Sequence, residues 1–239
     1  MLNVFVSGLT KQSGKTIVTA GLAGTMQSLN YSTCVYKPIQ TNANSLNGFL
    51  QSQDLALIKR IDANISTASS YIFTSQNSPI VAAYEAESKK IELNKIYNDF
   101  QTAIQSTECN IVEGSNSIAT PISDKTTELD VVRTLDIPLL LVLNPKKSKI
   151  DDAITGINFV ISSGVKLLGV IINEYDDNSG NIEEKYYPEM VKEFTGVKLL
   201  GKLPSYERYE NLTADTLIAD ILHNIKIQEV FGLQIAKLN

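Results

Sequence analysis

The chain has 239 residues, 43% hydrophobic and 20% charged, with 21 Lys and Arg against 26 Asp and Glu for a formal net charge of −5. This suits one domain over residues 1–239, and the acidic balance argues against nucleic acid or an anionic membrane surface as the main partner. No apolar run approaches the ~20 residues of a bilayer span, the start MLNVFVSG lacks the basic flank of a secretion signal, and two cysteines with one histidine give neither a disulfide framework nor a His-based metal centre or triad.

In chain order, Asn3–Val6 reads as a buried strand, Lys15–Leu29 as a helix and Thr33–Pro38 as a second strand. Gln53–Ile61 follows as a short helix and Ile91–Ser106 as an amphipathic one. Cys109–Val112 is a strand that ends at Glu113-Gly114. Glu128–Leu135 is a helix, Leu139–Leu143 an aliphatic strand, and Asp151–Ser163 a helix stopped by Gly164. Leu167–Asn173 is a strand, Tyr186–Thr195 a helix, Lys198–Leu203 a last strand, and Thr213–Ile225 a closing helix. Aliphatic strands alternating with helices predict an α/β fold. The sheet is expected to be mostly parallel and twisted, with six or seven strands and helices on both faces. Ligands of such folds bind beyond the carboxyl ends of the strands.

The first such end carries the strongest motif, Gly8-Leu9-Thr10-Lys11-Gln12-Ser13-Gly14-Lys15-Thr16. A loop between a strand and a helix, closed by Gly-Lys-Thr, points backbone N–H groups at phosphate oxygens. Lys15 is placed to bridge the terminal phosphates of ATP, and Thr16 to ligate Mg²⁺ through its hydroxyl. The first glycine comes one residue early, and Leu9 stands in its usual place. Lys37 closes the second strand, Asp54 opens the next helix, and Glu113 ends a strand where a metal-binding carboxylate is expected. The set predicts a metal–triphosphate site with a second substrate beside it.

These marks, with Tyr36-Lys37-Pro38-Ile39, Asp54-Leu55-Ala56, Asn77-Ser78-Pro79, Val112-Glu113-Gly114, Thr120-Pro121-Ile122-Ser123-Asp124 and Ile172-Asn173, make the chain resemble the dethiobiotin synthetase family over nearly its whole length. The resemblance implies a P-loop fold and a homodimer that closes the cyclic urea of 7,8-diaminononanoate with CO₂ and ATP. A carbamate forms first, attacks the γ-phosphate, and the mixed anhydride is trapped by the second amine. Carried over, Lys15 and Lys37 neutralise the γ-phosphate and carbamate, while Thr16, Asp54 and Glu113 hold Mg²⁺. Gln12, Ser13, Gly14, Lys15, Thr16 and Ile17 bind nucleotide, and Asn173 reads the adenine, helped by Pro204 and the segment after it. Thr41, Ser115 and Asn116 join Lys37 around the substrate, and residues past Ile118 complete its pocket across the dimer interface.

The phosphate loop departs from the family at Thr10, Lys11 and Gln12, where an acidic residue, a Thr and a Glu are usual. Ser115-Asn116-Ser117 replaces a run of small residues and glycines. Lys11 is therefore an added candidate for contact with ATP or the carbamate, partly offsetting the missing metal charge. The departures leave two alternatives. One is a diverged paralogue that binds ATP but uses another substrate. The other is an ATP-switched dimer of the partitioning type, whose signature lysine would fall at position 10, where this chain has Thr10.

Other features read plainly. His223 is a surface or partly packed side chain, and Cys34 and Cys109 are buried thiols. Lys146-Lys147-Ser148-Lys149 is a solvated loop by default, although the resemblance implies a place near the substrate carboxylate at the dimer interface, and Tyr175–Glu184 is an exposed loop and helix start. Asn42–Ser52 is polar and suits a flap over the site.

Overall fold

The computed structural model describes residues 1–206 and 212–233. In chain order the elements are β1 (Leu2–Gly8), α1 (Lys15–Ser28), β2 (Thr33–Gln40), β3 (Asn44–Leu46), β4 (Phe49–Gln51), α2 (Gln53–Ile61) and β5 (Ser66–Ile72). Then come α3 (Pro79–Glu85), α4 (Leu93–Ala103), β6 (Cys109–Glu113), β7 (Pro121–Ser123), β8 (Thr126–Thr127), α5 (Glu128–Leu135) and β9 (Leu139–Leu143). The chain continues through α6 (Ile150–Ser162), β10 (Leu167–Ile172), α7 (Ile182–Thr195), β11 (Leu199–Lys202), α8 (Ala214–Asn224) and α9 (Ile227–Phe231).

Seven strands form one sheet in the order β11-β10-β9-β1-β6-β2-β5, and every pairing in it is parallel. The expected α/β class holds. The alternation of side chains along each strand feeds two cores. Val4 and Val6 of β1, Ile111 of β6, and Leu140 and Val142 of β9 pack with α1, α2 and α8 on one face. Phe5, Val112, Leu139, Leu141 and Leu143 pack with α4, α5, α6 and α7 on the other. Buried on both faces, these strands show the continuous aliphatic runs by which they were recognised.

β1 lies in the middle, with β6 and β9 as neighbours, so the phosphate loop emerges at the centre of the sheet's carboxyl edge. β2 and β6 end beside it and deliver Lys37 and Glu113 to the same edge. Ser52 caps α2 by accepting from the Leu55 N–H at 3.1 Å, which sets Asp54 in the first turn.

Several boundaries differ from the sequence expectation. The amphipathic helix is Leu93–Ala103, shorter at both ends than Ile91–Ser106. The helix expected at Tyr186–Thr195 begins at Ile182, because the Asn181 side chain accepts from the Glu183 N–H at 3.0 Å and starts it a turn earlier. Pro188, inside that helix, did not mark its start. The Asn42–Ser52 stretch holds the β3–β4 hairpin, with Phe49 of β4 80% exposed. Edge strand β5, with sequence STASSYI, and helix α3 were not foreseen. Cys34 and Cys109 are buried free thiols as expected, and burial raises the first to about 11 and the second to about 12. Among the described residues, no helix is long and apolar enough to cross a membrane.

Leu140 is fully buried against the α1 layer. Leu140→Ala is expected to cost about 2–5 kcal/mol, read as a lower urea midpoint at unchanged slope. A loss under about 1 kcal/mol would mean that this face is loosely packed.

Candidate active site

The centre of the site is the ammonium group of Lys37. Its Nζ lies 2.7 Å from Asp54 Oδ2 and 2.7 Å from Glu113 Oε1, and donates to the Gly114 carbonyl at 3.3 Å. The Thr16 hydroxyl donates to the same Glu113 oxygen at 2.8 Å and lies 3.3 Å from Asp54 Oδ1. Two carboxylates from distant parts of the chain are thus drawn together around one cation. Burial alone would lower Lys37, but Glu113 and Asp54 outweigh it and hold Lys37 above the ordinary lysine range, so it is charged.

The two carboxylates shift in opposite directions because their surroundings differ. Burial pushes Asp54 up, but its side chain is 29% exposed, and Lys37 and Thr16 bring it below the usual carboxylate range. Glu113 is enclosed, and burial raises it further than Lys37 pulls it back. Its second oxygen, Oε2, is buried with no hydrogen-bond partner among the described residues.

Lys15 is arranged differently. Its Nζ donates to the carbonyls of Asn116 at 2.5 Å and Thr10 at 3.4 Å. Burial lowers its pKa, with Glu128 the largest opposing influence. Held by neutral oxygens, its charge is open to an incoming anion. Gly14 has φ 93°, and a Cβ built there would come within 1.8 Å of Asn173 Nδ2. Glycine is therefore required both by the backbone conformation and by the close approach of Asn173. The Asn173 Nδ2 donates to the Ser13 carbonyl at 3.2 Å, while its Oδ1 is buried without a partner among the described residues.

A cavity of about 550 Å³ opens over these groups. It is lined by Lys11, Gln12, Gly14, Lys15, Thr16, Ile17, Lys37, Thr41, Asp54, Glu113, Ser115 and Asn116, all expected from the sequence. Ser13, Asn173 and Pro204 do not line it: Asn173 is packed under the loop and Pro204 is exposed. Residues 207–211, within the segment expected to help read the base, lie outside the described residues. Glu174 also lines the cavity and was missed. Lys147 lines it too, in a lysine run that reads as solvated by default and that only the family resemblance turned toward the substrate. Glu128, a buried acid beneath the loop, was missed because it sits in an amphipathic helix pattern.

The donor set can be tested against Mg²⁺. One hydroxyl and two carboxylates are hard oxygen ligands, and the unpartnered Glu113 Oε2 offers a free lone pair. Among the described residues there is no cluster of three His, Cys, Asp or Glu side chains. A Mg²⁺ ion that shares its ligands with phosphates and water needs only one or two carboxylates, so the residues fit. The Lys37 ammonium already occupies the space between the carboxylates, so a metal there must displace it.

A family model described as an AAA domain matches residues 3–224. The chain belongs to the AAA domain family. Curated members similar to it carry the name ATP-dependent dethiobiotin synthetase BioD. The Bacillus subtilis strain 168 protein is 26% identical over 226 residues, covering 95% of this chain and 94% of that protein. The Bacillus licheniformis protein is 29% identical over 213 residues, covering 87% of each. That of Nitrosopumilus maritimus is 27% identical over 221 residues, covering 91% and 95%. The resemblance to dethiobiotin synthetases read from the motifs therefore stands. Among solved structures, the MinC:MinD cell division complex of Aquifex aeolicus matches with a TM-score of 0.59 at 14% identity, covering 100% of this chain and 99% of that one. The Pyrococcus furiosus cell division ATPase MinD gives 0.58 at 15%, covering 98% and 100%. These two share the fold with this AAA-domain chain.

Lys37→Met leaves two carboxylates facing each other without their cation. It is expected to cost about 3–5 kcal/mol in urea unfolding. Millimolar Mg²⁺ is expected to restore more stability to this variant than to the wild type, because the metal then meets no competing ammonium. Equal effects of Mg²⁺ on both would show that Asp54 and Glu113 are not a metal pair.

Proposed function

We propose that this chain is an ATP-dependent dethiobiotin synthetase, closing the ureido ring of 7,8-diaminononanoate with CO₂. The observation that carries the reading is the convergence of Lys15, Lys37, Thr16, Asp54 and Glu113 on one cavity. It is supported by the match to synthetases along almost the full chain.

The reaction needs positioning and charge neutralisation more than covalent chemistry from the protein. One amine of the diamine adds to CO₂ and loses a proton, giving a carbamate. The carbamate oxygen attacks the γ-phosphorus of ATP, and ADP leaves. The second amine then attacks the carbonyl carbon, inorganic phosphate leaves, and the ring closes. Loop N–H groups and Lys15 would receive the phosphates, with Lys15 exchanging its two carbonyl acceptors for phosphate oxygens. Lys37, once freed from its carboxylates, would neutralise the carbamate and the phosphoryl group in transfer. Thr16, Asp54 and Glu113 would hold Mg²⁺, which supplies further charge neutralisation on the phosphates. Asn173 Oδ1, buried without a partner among the described residues, would accept from the adenine amino group once the packing over it opens, and Thr41, Ser115 and Asn116 line the cavity that the diamine would enter. Lys11 is exposed on the cavity wall and would add charge near the phosphates. The partners of this reading are the diamine and CO₂, with two copies of the chain forming a cytoplasmic homodimer.

The test is product analysis with purified protein, ATP, Mg²⁺, bicarbonate and the diamine. Diamine-dependent ADP release together with dethiobiotin by mass spectrometry is the expected result. ATP binding without dethiobiotin would overturn the assignment and favour a paralogue with another substrate. In the same assay Lys15→Ala and Lys37→Ala are each expected to lower kcat by about 100-fold or more. Lys11→Ala is expected to raise the KM for ATP or lower turnover, and unchanged values would remove Lys11 from the site.

A further inference from the structure

The carboxylate of Glu128 is 2% exposed and lies outside the set of metal and phosphate contacts. Its oxygens are nevertheless fully engaged. Oε1 accepts from the hydroxyl of Ser7, the residue before Gly8 in β1, at 2.5 Å. Oε2 accepts from the Ser115 N–H at 2.6 Å and from the Ser115 hydroxyl at 2.9 Å. One side chain thus ties β1 to the segment leaving β6, from the first residue of α5.

Glu128 is itself fixed. Its N–H donates to the Thr120 carbonyl at 3.0 Å, and a capping box between Thr127 and Asp130 sets the helix start. A carboxylate in a first helical turn is favoured by the helix dipole. It also fills the space beside Gly114, where a built Cβ would come within 2.1 Å of Glu128 Oε1. Only glycine at position 114 leaves room for it.

The consequence lies in the peptide plane. The Ser115 N–H and the Gly114 C=O belong to one planar trans peptide, and they point in opposite directions. With the N–H held on Glu128, the Gly114 carbonyl must face away from it, and there it accepts from Lys37 Nζ at 3.3 Å. On the other side of Ser115, the Asn116 carbonyl receives Lys15. Lys37 therefore rests on the carbonyl of the very peptide whose N–H Glu128 holds, and Lys15 on the carbonyl of the next residue in the chain.

We infer that Glu128 is a positioning residue, which sets the orientation of the 114–115 peptide and through it the carbonyl on which Lys37 rests, with Lys15 held two residues further along. The inference rests on the assignment of those lysines to the reacting site. If the 114–115 peptide turned over, its N–H would face the Lys37 ammonium and its carbonyl the carboxylate, repelling at both ends.

The test compares wild type, Glu128→Gln, Glu128→Leu and Glu128→Ala. Crystal structures read the 114–115 peptide, calorimetry reads ADP affinity, and steady-state kinetics read turnover. The glutamine oxygen can still accept the Ser115 N–H, so Glu128→Gln should keep the peptide orientation and stay within about threefold of wild-type kcat. Glu128→Leu or Glu128→Ala should show a reoriented peptide and a kcat lower by about tenfold or more, with ADP affinity within about twofold. The alanine variant reads the same contact if the leucine variant does not fold. An unchanged peptide in the Leu and Ala variants would overturn the inference, and so would a reoriented peptide with unchanged kcat. A wild-type chain without diamine turnover would instead sink the proposed reaction, and peptide orientation alone would then decide the role of Glu128.

Discussion

The site is organised by one ammonium group between two carboxylates. Asp54 comes from the start of a helix and Glu113 from the end of a strand, and bringing them together unassisted would set like charges at close range in a partly enclosed space. Lys37, itself buried, makes that approach favourable with contacts of 2.7 Å to each. The carboxyl ends of β2 and β6 and the first turn of α2 therefore meet at a defined distance. The unpartnered Oε2 of Glu113 is a free acceptor beside the Lys37 ammonium, which leaves the cluster a place for a second cation. It is held as a balanced polar network whose cation can be exchanged, a different device from an apolar core.

The features most legible in the sequence were those with a strong one-dimensional signature. Gly14-Lys15-Thr16 between a strand and a helix located the loop, and the runs of β6 and β9 were recognisable because a central parallel strand is buried on both faces. Asp54 and Glu113 were found because each sits at an element boundary on the sheet's ligand-binding edge, whereas Lys37, expected to close its strand, lies inside β2, which runs on to Gln40. What escaped had no such signature. β5 is a sheet edge, its residues mostly half-buried, so it carries serines and a threonine where an inner strand would carry valines. Glu128 has the pattern of an ordinary first-turn acid, and its importance arises only when α5 brings it against Ser7, which is 121 positions away. Ser115, in the run that stands in place of the family's glycines, lines the cavity and is also tied to Glu128 by both its N–H and its hydroxyl, which its sequence position does not reveal.

The likenesses to other proteins divide along the same line. The cell division ATPases share the course of the chain at 14–15% identity, which shows how widely this sheet is used and leaves the chemistry to the side chains at its edge. The synthetases match at 26–29% identity over most of the chain. In this chain the basic residue beside the loop is Lys11, with Thr10 before it.

The central position of β1 also bears on how the protein comes into being. Both of its partners, β6 and β9, are made more than a hundred residues later. While the chain is being synthesised, the strand that carries the phosphate loop has no neighbour to pair with until nearly half of the polypeptide has left the ribosome. The loop is written near the start of the chain, yet its binding surface must wait for strands from the middle of it. Capture of nucleotide by a newly made chain would therefore report that the middle of the sheet has closed.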